Sequence, residues 1–201
     1  MSMFVTTNDR GSFVLDGKPW FLHGATYFGR RPGTCGADWM GENFAHNAAF
    51  FDRDFASMRE LGLNTVSFFV PAREFFDGLE PVQERFDQLH ALLDKVDEFG
   101  LRAILYARRA LGRQAWCAQH GGDPDEELWH PAVNPVAEQY SIDGYKAFRE
   151  PFADRPEILG WATSVGRFFR YGFTAPPVRA AWAQWLRERF DGDFSRAREL
   201  F

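Results

Sequence analysis

The stretch FDRDFASMRELGLNTVSFFV, Phe51 to Val70, decides the fold. Its first part is polar but carries Phe51, Phe55, Met58 and Leu61 at spacings i, i+4, i+7 and i+10. That period predicts an amphipathic helix over 50–61 with one apolar face. Gly62 is placed to end it in a left-handed cap. Thr65–Val70 then runs apolar, β-branched and aromatic without alternation, the pattern of a strand buried on both faces. Helix, glycine and buried strand in immediate succession are the signature of a parallel α/β arrangement.

The same unit repeats on both sides. Phe13–Leu15, the turn pair Asp16-Gly17 and Trp20–His23 read as a hairpin running into a first inner strand that ends at Gly24–Tyr27. A long Gly-rich loop spans 29–47. Phe86–Phe99 predicts a second helix with Leu89, Leu92, Leu93 and Val96 inward and Gly100 as its stop, followed by a third strand at Leu101–Tyr106. A loop is expected from Arg108 to Pro135, a helix over Val136–Phe152 with a break at Gly144, and a fourth strand within Pro156–Thr163. Pro176–Phe190 opens with prolines suited to a first helical turn, and Phe194–Phe201 begins a further helix. The expected topology is therefore α/β, with about four parallel strands joined by right-handed crossovers and preceded by an N-terminal β-hairpin, all in one domain over residues 1–201.

Bulk properties narrow the function classes. The 201 residues carry a net charge of −5, which argues against global attraction to nucleic acid or to an anionic membrane. Cys35 and Cys117 have no metal-ligand spacing, and the five histidines form no pair at helical spacing, so neither metal nor cofactor is expected. The 24–29 segment Gly-Ala-Thr-Tyr-Phe-Gly lacks the glycine spacing of a dinucleotide fingerprint. Met1–Val5 lacks the basic and apolar regions of a signal peptide, and no apolar run approaches transmembrane length, so the expected setting is cytoplasmic.

Several segments in order resemble the clan of retaining glycoside hydrolases with a (β/α)8, TIM-type barrel, which includes cellulase-like, β-mannanase-like and β-galactosidase-like enzymes. They are Phe13–Phe28, Phe51–Val70, Leu79–Pro81 with Phe86-Asp87, Glu98–Ala107 and Arg155–Trp161. The resemblance implies a partial barrel, the N-terminal half alone. It also implies a glutamate after Asn at the end of the fourth strand as general acid/base, and a nucleophilic glutamate on the seventh. The two carboxyl groups of a retaining pair stand roughly 5–5.5 Å apart. Here the segment after Trp161 reads Ala162-Thr163-Ser164-Val165-Gly166-Arg167, so Val165 and Gly166 occupy the expected Asn-Glu place. No Asp or Glu occurs from Ile158 through Arg187. Ser67 stands where the family commonly has arginine on its second strand. Losing a general acid costs about 10²–10⁴-fold in rate, so the expectation is a glycoside-hydrolase-like chain without catalytic residues of its own.

Ligands of parallel barrels bind at the C-terminal ends of strands. The candidates there are Tyr27, Arg30 and Arg31, then Arg73, then Arg108 and Arg109, then Arg167 and Phe168, with Trp39, Trp116 and Trp129 in the intervening loops. Convergent guanidinium groups suit an anion, and aromatic faces suit sugar rings. The competing reading is solvated arginines and packed rings. The expected partner is a carbohydrate or an anionic small ligand. Alternatively, the chain is one half of a glycosidase completed by further sequence, or a scaffold protein. Four strands leave two sheet edges open, so a homo-oligomer or a complementary half-barrel chain is also expected.

Overall fold

The structure is a computed structural model that describes residues 4–28, 40–107, 110–126, 129, 131, 134–162, 176–192, 195–196 and 198. Three short strands come first: β1 (Thr6–Thr7), β2 (Phe13–Leu15) and β3 (Lys18–Pro19) pair antiparallel in that order. Asp16 and Gly17 both have positive φ, 52° and 69°, which is the backbone that a two-residue hairpin turn needs. Trp20 packs edge-on against Phe13.

The expected inner strand at Trp20–His23 does not form; β4 is Gly24–Tyr27 alone. Asn64 explains the shift. Its Nδ2 donates to the Phe21 carbonyl at 2.6 Å, and its Oδ1 accepts from the His23 amide at 3.0 Å. One side chain thus takes up backbone groups that a ladder would otherwise use.

α1 (Phe44–Glu60) leads into β5 (Thr65–Val70). It starts earlier than the sequence period predicts. Phe51 and Phe55 are buried as expected, but Leu61 is 75% exposed because it is the cap residue where the chain leaves the helix. β5 is followed by a 3-10 turn at Ala72–Phe75 and by a small hairpin of β6 (Phe76–Asp77) and β7 (Glu80–Pro81), which no sequence signal announced. α2 (Gln83–Glu98) and β8 (Arg102–Ala107) complete the next unit. α3 (Arg113–His120) lies inside the expected loop. α4 (Pro135–Arg149) runs unbroken through Gly144. β9 (Ile158–Ala162) and α5 (Pro176–Phe190) follow.

The four long strands form one parallel sheet in the order β4-β5-β8-β9. Alternate residues point to opposite faces. Val66, Phe68 and Val70 of β5, with Ala103, Leu105 and Ala107 of β8, enter the core beneath α1 and α2. Tyr27 and Trp161 extend this layer on the outer two strands. Phe55, Leu89, Leu92, Leu93 and Val96 are fully buried there. Each such side chain contributes about 1.5–3 kcal/mol by leaving water. The expectation of burial on both faces fails for β4, where Gly24, Ala25 and Thr26 are exposed. Trp182 and Trp185 of α5 are 50% and 43% exposed and stack on each other at 5.0 Å.

Candidate functional site

The C-terminal ends of β5 and β8 carry a second layer of structure. Leu111, Trp116, Cys117, Trp129, Ala137 and Tyr140 form a separate apolar cluster there. Tyr140 donates its hydroxyl hydrogen to the Leu111 carbonyl at 2.6 Å, and Trp116 Nε1 donates to Asp143 Oδ2 at 3.1 Å. Asn134 caps α4, its Oδ1 accepting from the amides of Val136 and Ala137 at 2.9 and 3.0 Å. Burial pushes the Cys117 thiol above its ordinary range, which makes it a packing residue rather than a nucleophile. A shallow cavity of about 430 Å³ opens between Gly78, Gly112, Arg113 and Asp125.

Three sequence candidates are corrected by this packing. Tyr27 points to the helices, is 4% exposed and donates to Asp54 Oδ2 at 3.1 Å, between the rings of Phe51, Phe55 and Phe68. Trp116 is buried in α3, with His120 stacked on it. Trp129 is buried beneath the Arg113 guanidinium, 5.0 Å from its ring centre. None of the three presents a ring to a ligand. Arg73 does stand exposed beyond β5. Arg30, Arg31, Trp39, Arg108, Arg109, Val165, Gly166, Arg167 and Phe168 lie outside the described residues, so the convergence of arginines has no geometry to stand on.

The other face of the parallel sheet holds residues that sequence reasoning missed. The pairings Tyr27↔Phe68 and Phe69↔Tyr106 put Phe28, Phe69 and Tyr106 side by side across three strands. Phe28 and Phe69 lie 6.0 Å apart, and Phe69 stacks on Tyr106 at 5.2 Å and 26°. Ala162 continues the row on β9. One step toward the N-terminal ends, Thr26 and Ser67 share a hydrogen bond at 2.9 Å, and Ile104 pairs with Gly160. Ser67 is thus occupied with a neighbouring hydroxyl.

The carboxylate nearest in sequence to β9 is at its opposite end. Glu157 is 2% exposed, ion-paired to Arg155, which also holds Asp94 at 2.7 Å. Its carbonyl accepts from the Ala103 amide at 2.7 Å. Among the described residues no group of three or more His, Cys, Asp or Glu side chains could hold a metal ion. Among the same residues, no helix is long and apolar enough to cross a membrane.

No family model and no curated protein sequence matches the chain. Solved structures do. The β-mannanase of the blue mussel Mytilus edulis superposes with a TM-score of 0.55 at 12% identity, covering 81% of this chain and 45% of the enzyme. An endo-1,4-β-mannanase from Rhizomucor miehei gives 0.52 at 16%, covering 92% and 56%. The β-1,4-D-mannanase of Cryptopygus antarcticus gives 0.53 at 13%, covering 90% and 50%. The fold is similar to half of the (β/α)8 barrel of these enzymes. The half-barrel spans about half the length of each of these enzymes, and its four parallel strands are the expected number for one half of an eight-stranded barrel. The row of Phe28, Phe69 and Tyr106 therefore lies on the sheet face that lines the interior in a closed barrel.

Proposed function

We propose that this half-barrel binds carbohydrate without cleaving it by its own residues. The observation that carries the reading is the location of acid around β9. That strand ends at Ala162, in register with Tyr106, and the following residues through Arg187 contain no carboxylate. Glu157 is committed to Arg155 at the far end of the strand, and ligands of such sheets bind at the C-terminal end. Glycosidic cleavage needs one carboxyl group to protonate the leaving oxygen and a second at the anomeric carbon, and the sequence from Ile158 through Arg187 offers no carboxylate for the first.

Calorimetric titration with neutral and acidic oligosaccharides, run beside an assay with an activated aryl glycoside, tests the proposal. Binding without turnover is the expected result. Cleavage at an ordinary glycosidase rate, or no binding of any sugar, overturns it.

A second reading is favoured by the coverage of only 45–56% of the three mannanases. In it, further sequence supplies both carboxylates, and β4 and β9 each pair with a strand of the other half. Mixing the half-barrel with a candidate second half and assaying for new hydrolysis separates the two readings.

A further inference from the structure

Each edge of the parallel sheet lacks what the other has in surplus. In a (β/α)8 barrel every strand is followed by a helix, and the helices ring the sheet. The four described strands make three pairings, β4-β5, β5-β8 and β8-β9. Four long helices follow them in turn, α1, α2, α4 and α5. α5, which comes after β9, is left without a described strand pairing to cover. Among its described side chains only Phe190 is buried, and the indoles of Trp182 and Trp185 stand half in solvent. β4 shows the reverse. Ala25, Val66, Ala103 and Ile158 form one row across the sheet on the helix side. Val66 and Ala103 are fully buried in that row, but Ala25 is exposed. α1 reaches Tyr27 through Phe51 and Phe55 and leaves Ala25 open. One edge has a helix with no strand beneath it, and the other has a strand with no helix above it.

We propose that two copies of this chain close edge to edge into one eight-stranded barrel. β9 of each copy pairs with β4 of the other, and α5 of each lies over its partner's β4 at Ala25. The inference goes beyond the carbohydrate reading and does not depend on it. A second copy is the occupant because the surplus and the deficit belong to the same chain. A twofold axis along the barrel satisfies both seams at once. Four strands taken twice are the number that closes this kind of barrel, so the assembly stops at two and no open edge is left. The surface to be buried is sufficient. Phe21, just before β4, is 82% exposed, and Phe28, just after it, is 50% exposed. With Trp182 and Trp185, these exposed parts come to roughly 450 Å² per copy, at about 150–250 Å² for a whole aromatic side chain. Two copies bring about twice that, before any strand backbone is counted, against the roughly 1,200–2,000 Å² that a stable interface buries in total. In the closed assembly Phe28, Phe69 and Tyr106 of both copies line one interior.

Two variants probe the two sides of one seam. Ala25→Lys sets a charge beneath the partner's α5, and Trp185→Glu replaces a ring that would cover it. Both positions are exposed in the single chain, so neither change opposes its fold, which far-ultraviolet circular dichroism checks. Trp182→Glu takes the place of Trp185→Glu should that variant unfold. The experiment is sedimentation velocity of the full chain, of each variant and of an equimolar mixture of the two variants. The parent is expected to run at twice the mass of one chain. Each variant alone should dissociate at least tenfold more readily. The mixture should regain most of the parent's dimer. In a mixed pair one seam joins an unaltered Ala25 to an unaltered Trp185, and the other sets the new lysine against the new glutamate. A monomeric parent overturns the proposal, and so does an open series of larger oligomers, since closure ends at two. A dimer that the variants leave intact, or that mixing does not restore, places the interface elsewhere and overturns it too. A parent that stays monomeric until a chain carrying further barrel strands is added assigns the edges to that chain instead.

Discussion

The Gly112 amide donates to the Gly78 carbonyl at 2.7 Å, and a Cβ built at Gly112 would lie 2.9 Å from the Gly78 Cα and 3.1 Å from its oxygen. This contact clamps the hairpin after β5 to the start of α3 after β8. The atoms in the way are backbone, so they cannot rotate aside. Gly112→Ala is expected to destabilise the fold by about 1–3 kcal/mol, lowering the unfolding midpoint by roughly 2–4 °C per kcal/mol at this chain length. Gly160→Ala, in open space, should stay within about 0.5 kcal/mol of the parent. Thermal and urea unfolding of both variants give the comparison, and equal midpoints would remove the clamp.

Phe55 is fully buried and touches Tyr27, Phe51, Phe68 and Phe99 by ring contacts. Phe55→Ala leaves a cavity where α1 meets the sheet. A loss of about 3–5 kcal/mol is expected, read from the urea midpoint with an unchanged slope. A loss below 1 kcal/mol would mean that α1 collapses into the gap.

Asn134 works in two directions, capping α4 through Oδ1 and donating from Nδ2 to Glu126 Oε2 at 2.6 Å. Asn134→Ala should cost about 0.5–2 kcal/mol for the cap alone. Asn134→Asp keeps the capping acceptor but sets two carboxylates against each other, so it should recover only part of the loss. Chemical denaturation of the pair checks the order; full recovery by the aspartate would show that the Glu126 contact adds nothing.

His90 lies against the Phe152 ring at 4.6 Å, near Arg155, Asp94, Asp87 and Glu157. Partial burial, and then the Arg155 charge, hold its pKa below the ordinary 6.5, with the three carboxylates opposing. The unfolded chain therefore binds this proton at a higher pH than the folded one. Above pH 6.5 His90 contributes no pH dependence; as pH falls below 6.5 and through the folded pKa, stability declines. His90→Gln should flatten the stability profile in the range just below pH 6.5. An identical slope in parent and variant would sink this assignment.

Much of the scaffold was legible because each element obeyed one local rule. Thr65–Val70 reads as a strand and is one, since both of its faces are largely covered. Gly62 and Gly100 end helices with positive φ, 78° and 63°, as their positions foretold. The failures have physical causes. α3 begins at Gly112 with no side-chain cap, so it has no sequence marker inside a long polar stretch. Trp116 and Trp129 looked like loop aromatics because the cluster that buries them joins residues from Leu111 to Tyr140, which only the tertiary fold brings together. The row of Phe28, Phe69 and Tyr106 depends on strand register, and one residue of slip would turn each ring to the other face. Tyr27 is the last residue of its strand, but the residue after it is the one that faces inward.

The stacked indoles of Trp182 and Trp185, 5.0 Å apart with planes 14° from parallel, amount to a coupled pair of chromophores on an exposed helix. Their transition dipoles are close enough to interact, so the pair should imprint its geometry on the ultraviolet circular dichroism and emission of the protein. Any molecule that settles over α5 and turns one ring against the other would announce itself optically, with no label attached.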